Sequence, residues 1–123
     1  MDRIAITLPW AVLAADNHRL TPSRGRLVKS SEYRKRMAIA SLMLRGLWRE
    51  PIIRGPVRLH ARLHFPDRRK RDAGNYRKFL TDCLSGIAYV DDSDVWSETW
   101  ERAGIDRENP RVELHIAPLE PAA

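Results

Sequence analysis

Two short stretches of this sequence hold residue types that could do chemistry together. In Pro66-Asp67-Arg68-Arg69-Lys70-Arg71-Asp72-Ala73-Gly74-Asn75-Tyr76-Arg77-Lys78, four consecutive cations precede an aspartate, and Val90-Asp91-Asp92-Ser93-Asp94 supplies further carboxylates. Hydrolysis of a phosphodiester needs a nucleophilic water and a stabilised leaving oxygen, and one or two hard cations held by carboxylates provide both. Asp72, Asp91, Asp92 and Asp94 are the candidate ligands. Arg68, Arg69, Lys70 and Arg71 suit phosphate contacts, each of which releases counterions, although such a run is also a common solvated turn. Lys78, about one turn beyond Asn75, could meet developing charge on a phosphate or protonate a leaving oxygen. It could equally be a surface lysine paired with Asp82 at i+4. Asp-Asp-Ser is an ordinary turn sequence as well, so spacing alone leaves both readings open.

The elements that must position these residues can be read from periodicity. Ile4 to Leu8 alternates and then meets Pro9, which predicts a short strand. From Trp10 to Ser30 no period is sustained, and Asp16-Asn17, Pro22 and Gly25 punctuate what reads as a long loop made basic by Arg19, Arg24, Arg26 and Lys29. Ser30 or Ser31 can cap a helix whose apolar positions Tyr33, Met37, Ala40, Leu44, Leu47 and Trp48 recur at three and four, with Pro51 as its stop. Val57, Leu59, Ala61, Leu63 and Phe65 alternate with Arg58, His60, Arg62 and His64, the pattern of a half-buried strand. Tyr76, Phe79, Leu80, Cys83, Leu84 and Ile87 form the stripe of a second helix that Gly86 ends, with Asn75, Lys78 and Asp82 on its other side. Val95 to Trp100 and Val112 to Ile116 are two further strands, and the tail from Pro118 reads as frayed. The fold class is therefore α+β: a mixed or antiparallel sheet of about four strands covered by two helices.

Bulk properties bound the function. A chain of 123 residues fits one domain, spanning residues 1–123. No apolar run approaches the length of a membrane helix, and the start lacks the core of a signal peptide, so cytoplasmic residence is the default expectation. Net charge is +6, but it is polarised: residues 1–78 carry 19 Lys and Arg against 6 Asp and Glu, and residues 79–123 carry 3 against 10. Such a chain can offer one basic surface to a polyanion beside a carboxylate cluster. Cys83 reads as core. His60 and His64 lack the further ligands that a zinc site requires. Trp48 reads as packing, Trp96 and Trp100 as core or dimer contact on one strand face, and Trp10 as packing or as a platform for an unpaired base.

Taken together, Ile6-Thr7-Leu8-Pro9-Trp10, the run from Pro66 to Asp72, the helix residues Asn75, Lys78, Asp82 and Leu84, and Asp91-Asp92 resemble the RusA family. These are the Holliday junction resolvases, or crossover junction endodeoxyribonucleases, of phages and prophages, and the match runs in order along nearly the whole chain. The resemblance implies a Mg²⁺-dependent endonuclease that resolves four-way DNA junctions in recombination and repair. It also implies a homodimer, because a junction is nearly two-fold symmetric and needs two opposed cuts. Carried onto this sequence, the catalytic residues fall on Asp72, Lys78 and Asp92. Mg²⁺ would lie on Asp72 and Asp92 with help from Asp91, and Arg68, Arg69, Lys70, Arg71, Arg24 and Arg26 would hold the DNA backbone.

One departure stands out: the second aspartate of the family's Asp-x-Asp-Asn motif is Gly74 here. Its loss removes a negative charge and up to two ligand oxygens, so weaker Mg²⁺ binding is expected unless Asp91 or Asp94 substitutes. The alternative reading is a junction-binding protein with weak or lost cleavage. A single-strand or RNA-binding module would need stacking aromatics on an open sheet face, which 7% aromatic residues, several at core positions, do not favour.

Overall fold

Strict alternation needs a strand with one dry face and one wet face, and Val57 to Phe65 is built that way. A computed structural model describes residues 3–119. Among the described residues the strands are β1 (Ile4–Pro9), β2 (Leu20–Ser23), β3 (Arg26–Lys29), β4 (Val57–Phe65), β5 (Val95–Ile105) and β6 (Arg111–Pro118), and the helices are α1 (Ser31–Leu47) and α2 (Arg77–Leu84). A four-stranded sheet runs in the order β1-β6-β4-β5, and β2 and β3 form a separate hairpin. β6 is antiparallel to both neighbours, whereas β4 and β5 are parallel, so the sheet is mixed. The α+β class with two helices is as the sequence predicts.

One face of the sheet is apolar and buried by Ile6, Leu8, Leu59, Leu63, Leu114 and Ile116, while α1 and α2 supply Tyr33, Leu44, Phe79 and Leu80 to the same core. Burial of each such side chain contributes roughly 1.5–3 kcal/mol. Edge-to-face contact of Tyr33 with Phe79, 5.3 Å between centroids, joins the two helices. Ser30 caps α1 through its hydroxyl, which accepts from the Tyr33 amide at 3.1 Å. Cys83 is buried, and burial pushes its thiol up to about 12, consistent with a core residue.

Parallel neighbours need a crossover, because the end of one strand and the start of the next lie at opposite ends of the sheet. Here the crossover is the strap of residues 66–76 followed by α2. It leaves the end of β4 carrying Asp72 and Lys78, and it returns to the start of β5 carrying Asp91 and Asp92. The candidate catalytic and metal-binding residues are thus distributed along one connection, while Arg24 and Arg26 lie apart on the β2–β3 hairpin.

Four expectations need correction. Residues 10–30 are not a single loop: short 3-10 turns at Trp10–Val12 and Asp16–His18 precede the β2–β3 hairpin. Every residue of that hairpin is exposed, so no dry face exists to impose a period. Its two-residue turn has Arg24 at φ 51° and Gly25 at φ 76°, the signature of a type I′ turn. Next, α2 is shorter than its apolar stripe, because Asn75 belongs to a 3-10 turn, Ala73–Tyr76, and Ile87 to the turn after the helix. Trp96 and Trp100 do not share an environment. Val95 faces Val57 and Ser97 faces Arg58, which leaves Trp96 as the extra residue of a bulge and 70% exposed, while Trp100 packs against the core. Finally, the tail is ordered further than expected: Pro118 ends β6, and the Leu119 amide donates to Pro56 O at 2.9 Å. The remainder of that tail lies outside the described residues.

Candidate active site

Asp72 opens the 3-10 turn that follows the strap. Its Oδ1 accepts the Gly74 amide at 3.0 Å, a local cap that fixes the carboxylate at the mouth of a cleft lined by Asn17, Arg69, Lys70, Asn75 and Tyr76. The turn packs on β5. A Cβ built on Gly74 would meet only Asp72 Oδ1, at the ordinary contact distance of 3.5 Å, and this glycine has no positive φ. The backbone therefore tolerates the family's aspartate, which would stand beside Asp72.

Lys78 joins the two halves of the candidate site. Its Nζ lies 3.1 Å from Asp82 Oδ1 and 3.4 Å from Asp92 Oδ2. The two readings of Lys78 are thus both realised: it pairs with Asp82 at i+4 and also reaches the aspartate brought back by the crossover. Hydrogen bonding to Asp82, then to Asp92, raises the Lys78 pKa despite some desolvation. A lysine held more basic than usual stays an ammonium at neutral pH, suited to stabilising negative charge and not to acting as a base.

Asp91 caps a short 3-10 turn, Asp92–Asp94, that Asp92 opens. Asp91 Oδ2 accepts from both the Ser93 amide, at 3.1 Å, and the Ser93 hydroxyl, at 2.6 Å, and these bonds hold its carboxyl below the usual carboxylate range. That oxygen serves the turn. Among the described residues no group of three or more His, Cys, Asp or Glu is arranged to hold a metal. The three-carboxylate set of Asp72, Asp91 and Asp92 is therefore not gathered, because Asp91 turns onto Ser93 and Asp92 onto Lys78. The donor chemistry still fits Mg²⁺, a hard cation that is commonly bound by one or two carboxylates together with water and substrate phosphate.

The basic strap divides into two kinds of cation. Arg71 forms a bidentate pair with Asp67, at 2.6 and 3.2 Å, and its guanidinium lies over Trp10 and Phe65 at 5.5 and 5.8 Å. That pairing lowers the Asp67 carboxyl to about 2. Arg71 is consequently a fastener that fixes the strap, not a free phosphate ligand. Trp10 is half-buried against Phe65 and Tyr76, at 5.3 and 5.0 Å, so it is packing and not an open platform. Arg69, its side chain 82% exposed, only grazes Asp67 at 4.0 Å, and Arg68, Lys70, Arg24 and Arg26 make no ion pair among the described residues.

Three further residues of the site, Asp16, Asn17 and Glu98, escape sequence reasoning. Asp16 lies far from α2 in sequence, yet its Oδ2 accepts the Lys78 amide and its Oδ1 the Phe79 amide, both at 2.9 Å. Its neighbour Asn17 accepts from Asn75 Nδ2 at 3.0 Å. Capping a helix start in this way is typically worth about 1 kcal/mol. The only local signal was that Asp16-Asn17 is turn punctuation. Glu98 on β5 likewise receives Arg77 of α2 and the Trp100 indole, which pins the helix to the sheet. His60 and His64, the other conceivable metal pair, are engaged by Glu101 at 2.8 Å and Glu113 at 2.6 Å.

Comparison with known proteins bears on this arrangement. The family model for Endodeoxyribonuclease RusA matches residues 9–117. The crossover junction endodeoxyribonuclease RusA of Escherichia coli strain K12 is 29% identical over 96 residues, covering 77% of this chain and 78% of the relative. Its counterpart from Enterobacteria phage 82 is 30% identical over the same length and shares of both chains. The strap, the Lys78 helix and the aspartates at the start of β5 all fall inside the matched region, and the chain belongs to the RusA family of endodeoxyribonucleases.

Proposed function

We propose that residues 1–123 act as one RusA-like domain that resolves four-way DNA junctions by cutting the phosphodiester backbone, in recombination and repair. The observation that carries this reading is the Lys78 bridge to Asp92, 3.4 Å long, which links the start of α2 to the turn before β5 beside the exposed cations of the strap. Asp72 and Asp92 are the carboxylates that would hold Mg²⁺, and Asp91 would join them on releasing Ser93. When bound, the ion would supply an activated water and neutralise charge on the phosphate. Lys78 stabilises negative charge on the phosphate, and Arg68, Arg69 and Lys70, with Arg24 and Arg26 on the hairpin, seat the backbone. A homodimer supplies the two opposed cuts that a symmetric junction requires. Ile39 and Leu42, half or more exposed one turn apart on α1, form an apolar stripe suited to a second copy.

A synthetic four-way junction incubated with the protein in Mg²⁺ and in EDTA tests the proposal. Paired nicks in Mg²⁺, absent in EDTA, are expected. Gly74 and the engagement of Asp91 by Ser93 favour a second reading, in which the chain binds junctions but cuts them poorly. That reading predicts a junction-selective gel shift in EDTA with negligible cutting at millimolar Mg²⁺.

A further inference from the structure

Helix α2 begins without a cap of its own. The residue before it, Tyr76, gives no side-chain cap, so the first amides of the helix need acceptors from elsewhere. Asp16 provides them from the segment between β1 and the hairpin. One carboxylate oxygen takes the Lys78 amide and the other takes the Phe79 amide, while Asn17 takes the side-chain amide of Asn75 in the Asp72 turn.

The same residue is tied to the hairpin. Asp16 O accepts the Arg19 amide at 3.1 Å, and Arg19 O accepts the Ser30 amide at 2.9 Å, which closes the base of β2 and β3. A half-buried carboxylate bonded at both oxygens leaves the start of α2 little freedom to rotate or slide. The burial is unfavourable for its charge, since desolvation raises the Asp16 pKa in spite of both amides and nearby Arg19. Both carboxylate oxygens are nevertheless committed to α2, far beyond the local turn of residues 16–18.

We propose that Asp16 is a positioning residue for the cutting step: by fixing the Lys78 and Phe79 amides it holds the Lys78 ammonium between Asp82 and Asp92, and through Arg19 it couples that placement to the basic hairpin. This rests on the reading of Lys78 as the group that meets phosphate charge. A misplacement of about 1 Å in such a group can cost on the order of 10²-fold in rate. DNA seated on Arg24 and Arg26 thus bears on the same clamp that orients the ammonium.

The test combines cutting with a readout that needs no cutting. Single-turnover cleavage of a four-way junction is measured with saturating protein for the native chain, Asp16→Ala, Asp16→Asn, Lys78→Ala and the Asp16→Ala/Lys78→Ala pair, well below each melting temperature. Asp16→Ala should slow the step by about tenfold or more, and Asp16→Asn, which keeps one acceptor oxygen, should fall between. In the Lys78→Ala background the Asp16 change should add less than about twofold, because its effect passes through Lys78. In DNA-free protein, acylation of Lys78 by an N-hydroxysuccinimide ester, read by peptide mass spectrometry, should quicken severalfold in both Asp16 variants as the ammonium leaves its carboxylates. Should Asp16→Ala fail to fold, Asp16→Asn carries both comparisons, alone and combined with Lys78→Ala. Multiplicative losses in the paired variant, or unchanged Lys78 acylation, would overturn the proposal. Faster acylation in a protein that cuts no junction would sustain the clamp and defeat the resolvase reading instead.

Discussion

The strap and hairpin differ from the open face of the sheet in what their cations are doing. On the sheet, Arg62 lies between Glu101 and Glu113 at 3.2 and 3.5 Å, and Arg111 pairs with Asp106 at 2.8 Å, so these two cations are already answered by carboxylate, while Arg58 beside them is not paired among the described residues. On the strap and hairpin, Arg68, Lys70, Arg24 and Arg26 carry no such partner among the described residues, and Arg69 only a distant one. A paired arginine must break its bond to meet a phosphate and gains little by the exchange, whereas an unpaired one gains the full contact and releases counterions. Charge counts therefore mislead as a map of DNA binding; pairing is the better guide.

The largest contrast should come from cleavage. Asp72→Asn, on the strap side, is expected to lower junction cutting by on the order of 10³-fold or more while leaving binding in EDTA intact. His64→Ala, on the sheet face, should leave cutting within about twofold. Loss of cutting by His64→Ala with survival in Asp72→Asn would reverse the assignment of the two faces.

A smaller effect is expected at Gly74. Because a Cβ there meets only Asp72 Oδ1 at 3.5 Å and the glycine has no positive φ, Gly74→Asp should fold with a nearly unchanged melting temperature. It should also lower the Mg²⁺ concentration for half-maximal cutting, since two adjacent carboxylates bind a divalent ion better than one. Titration of cutting rate against Mg²⁺ checks this, and an unchanged requirement in a well-folded variant would mean that position 74 contributes nothing to metal binding.

The smallest predicted effect concerns pH. The Asp67 carboxyl is held down to about 2 from an ordinary 3.8 by its bond to Arg71. A depressed carboxylate contributes stability that is present above the ordinary value and lost as pH falls from there towards 2. Thermal melting of the native chain and Asp67→Asn should therefore differ at neutral pH and converge at about pH 2. Curves still separated at that acidity would show that Asp67 acts through something other than its charge.

What could be read in the sequence followed from how strongly each segment is asked to face two ways. Val57 to Phe65 alternates because one side meets Leu59, Leu63 and the core while the other meets solvent and ion pairs, so its bounds were legible to the residue. The β2–β3 hairpin has no dry side, and only Arg24-Gly25 marked its turn. Trp96 was placed on one face with Trp100 because a bulge shifts the phase of β5, an event that period-two reasoning cannot detect. Within the candidate site, Asp72, Lys78 and Asp92 were legible as residue types at suggestive spacings, while Asp16 was not, since its partners are Lys78 and Phe79 across the fold. Arg71 looked like its three neighbours in sequence; only its bidentate bond to Asp67 separates it from them.

The claim that unpaired cations mark the DNA face is tested most directly by the salt dependence of junction binding in EDTA. Three proteins are compared: the native chain, a strap variant with Arg68, Arg69 and Lys70 changed to Ala, and a sheet variant with Arg62 and Arg111 changed to Ala. The strap variant should lose roughly 3 from the slope of log affinity against log salt concentration, about 0.9 for each phosphate contact removed. The sheet variant should keep the native slope. Equal slopes for the native and strap proteins, with a reduced slope for the sheet variant, would contradict the account and move the DNA to the opposite face of the molecule.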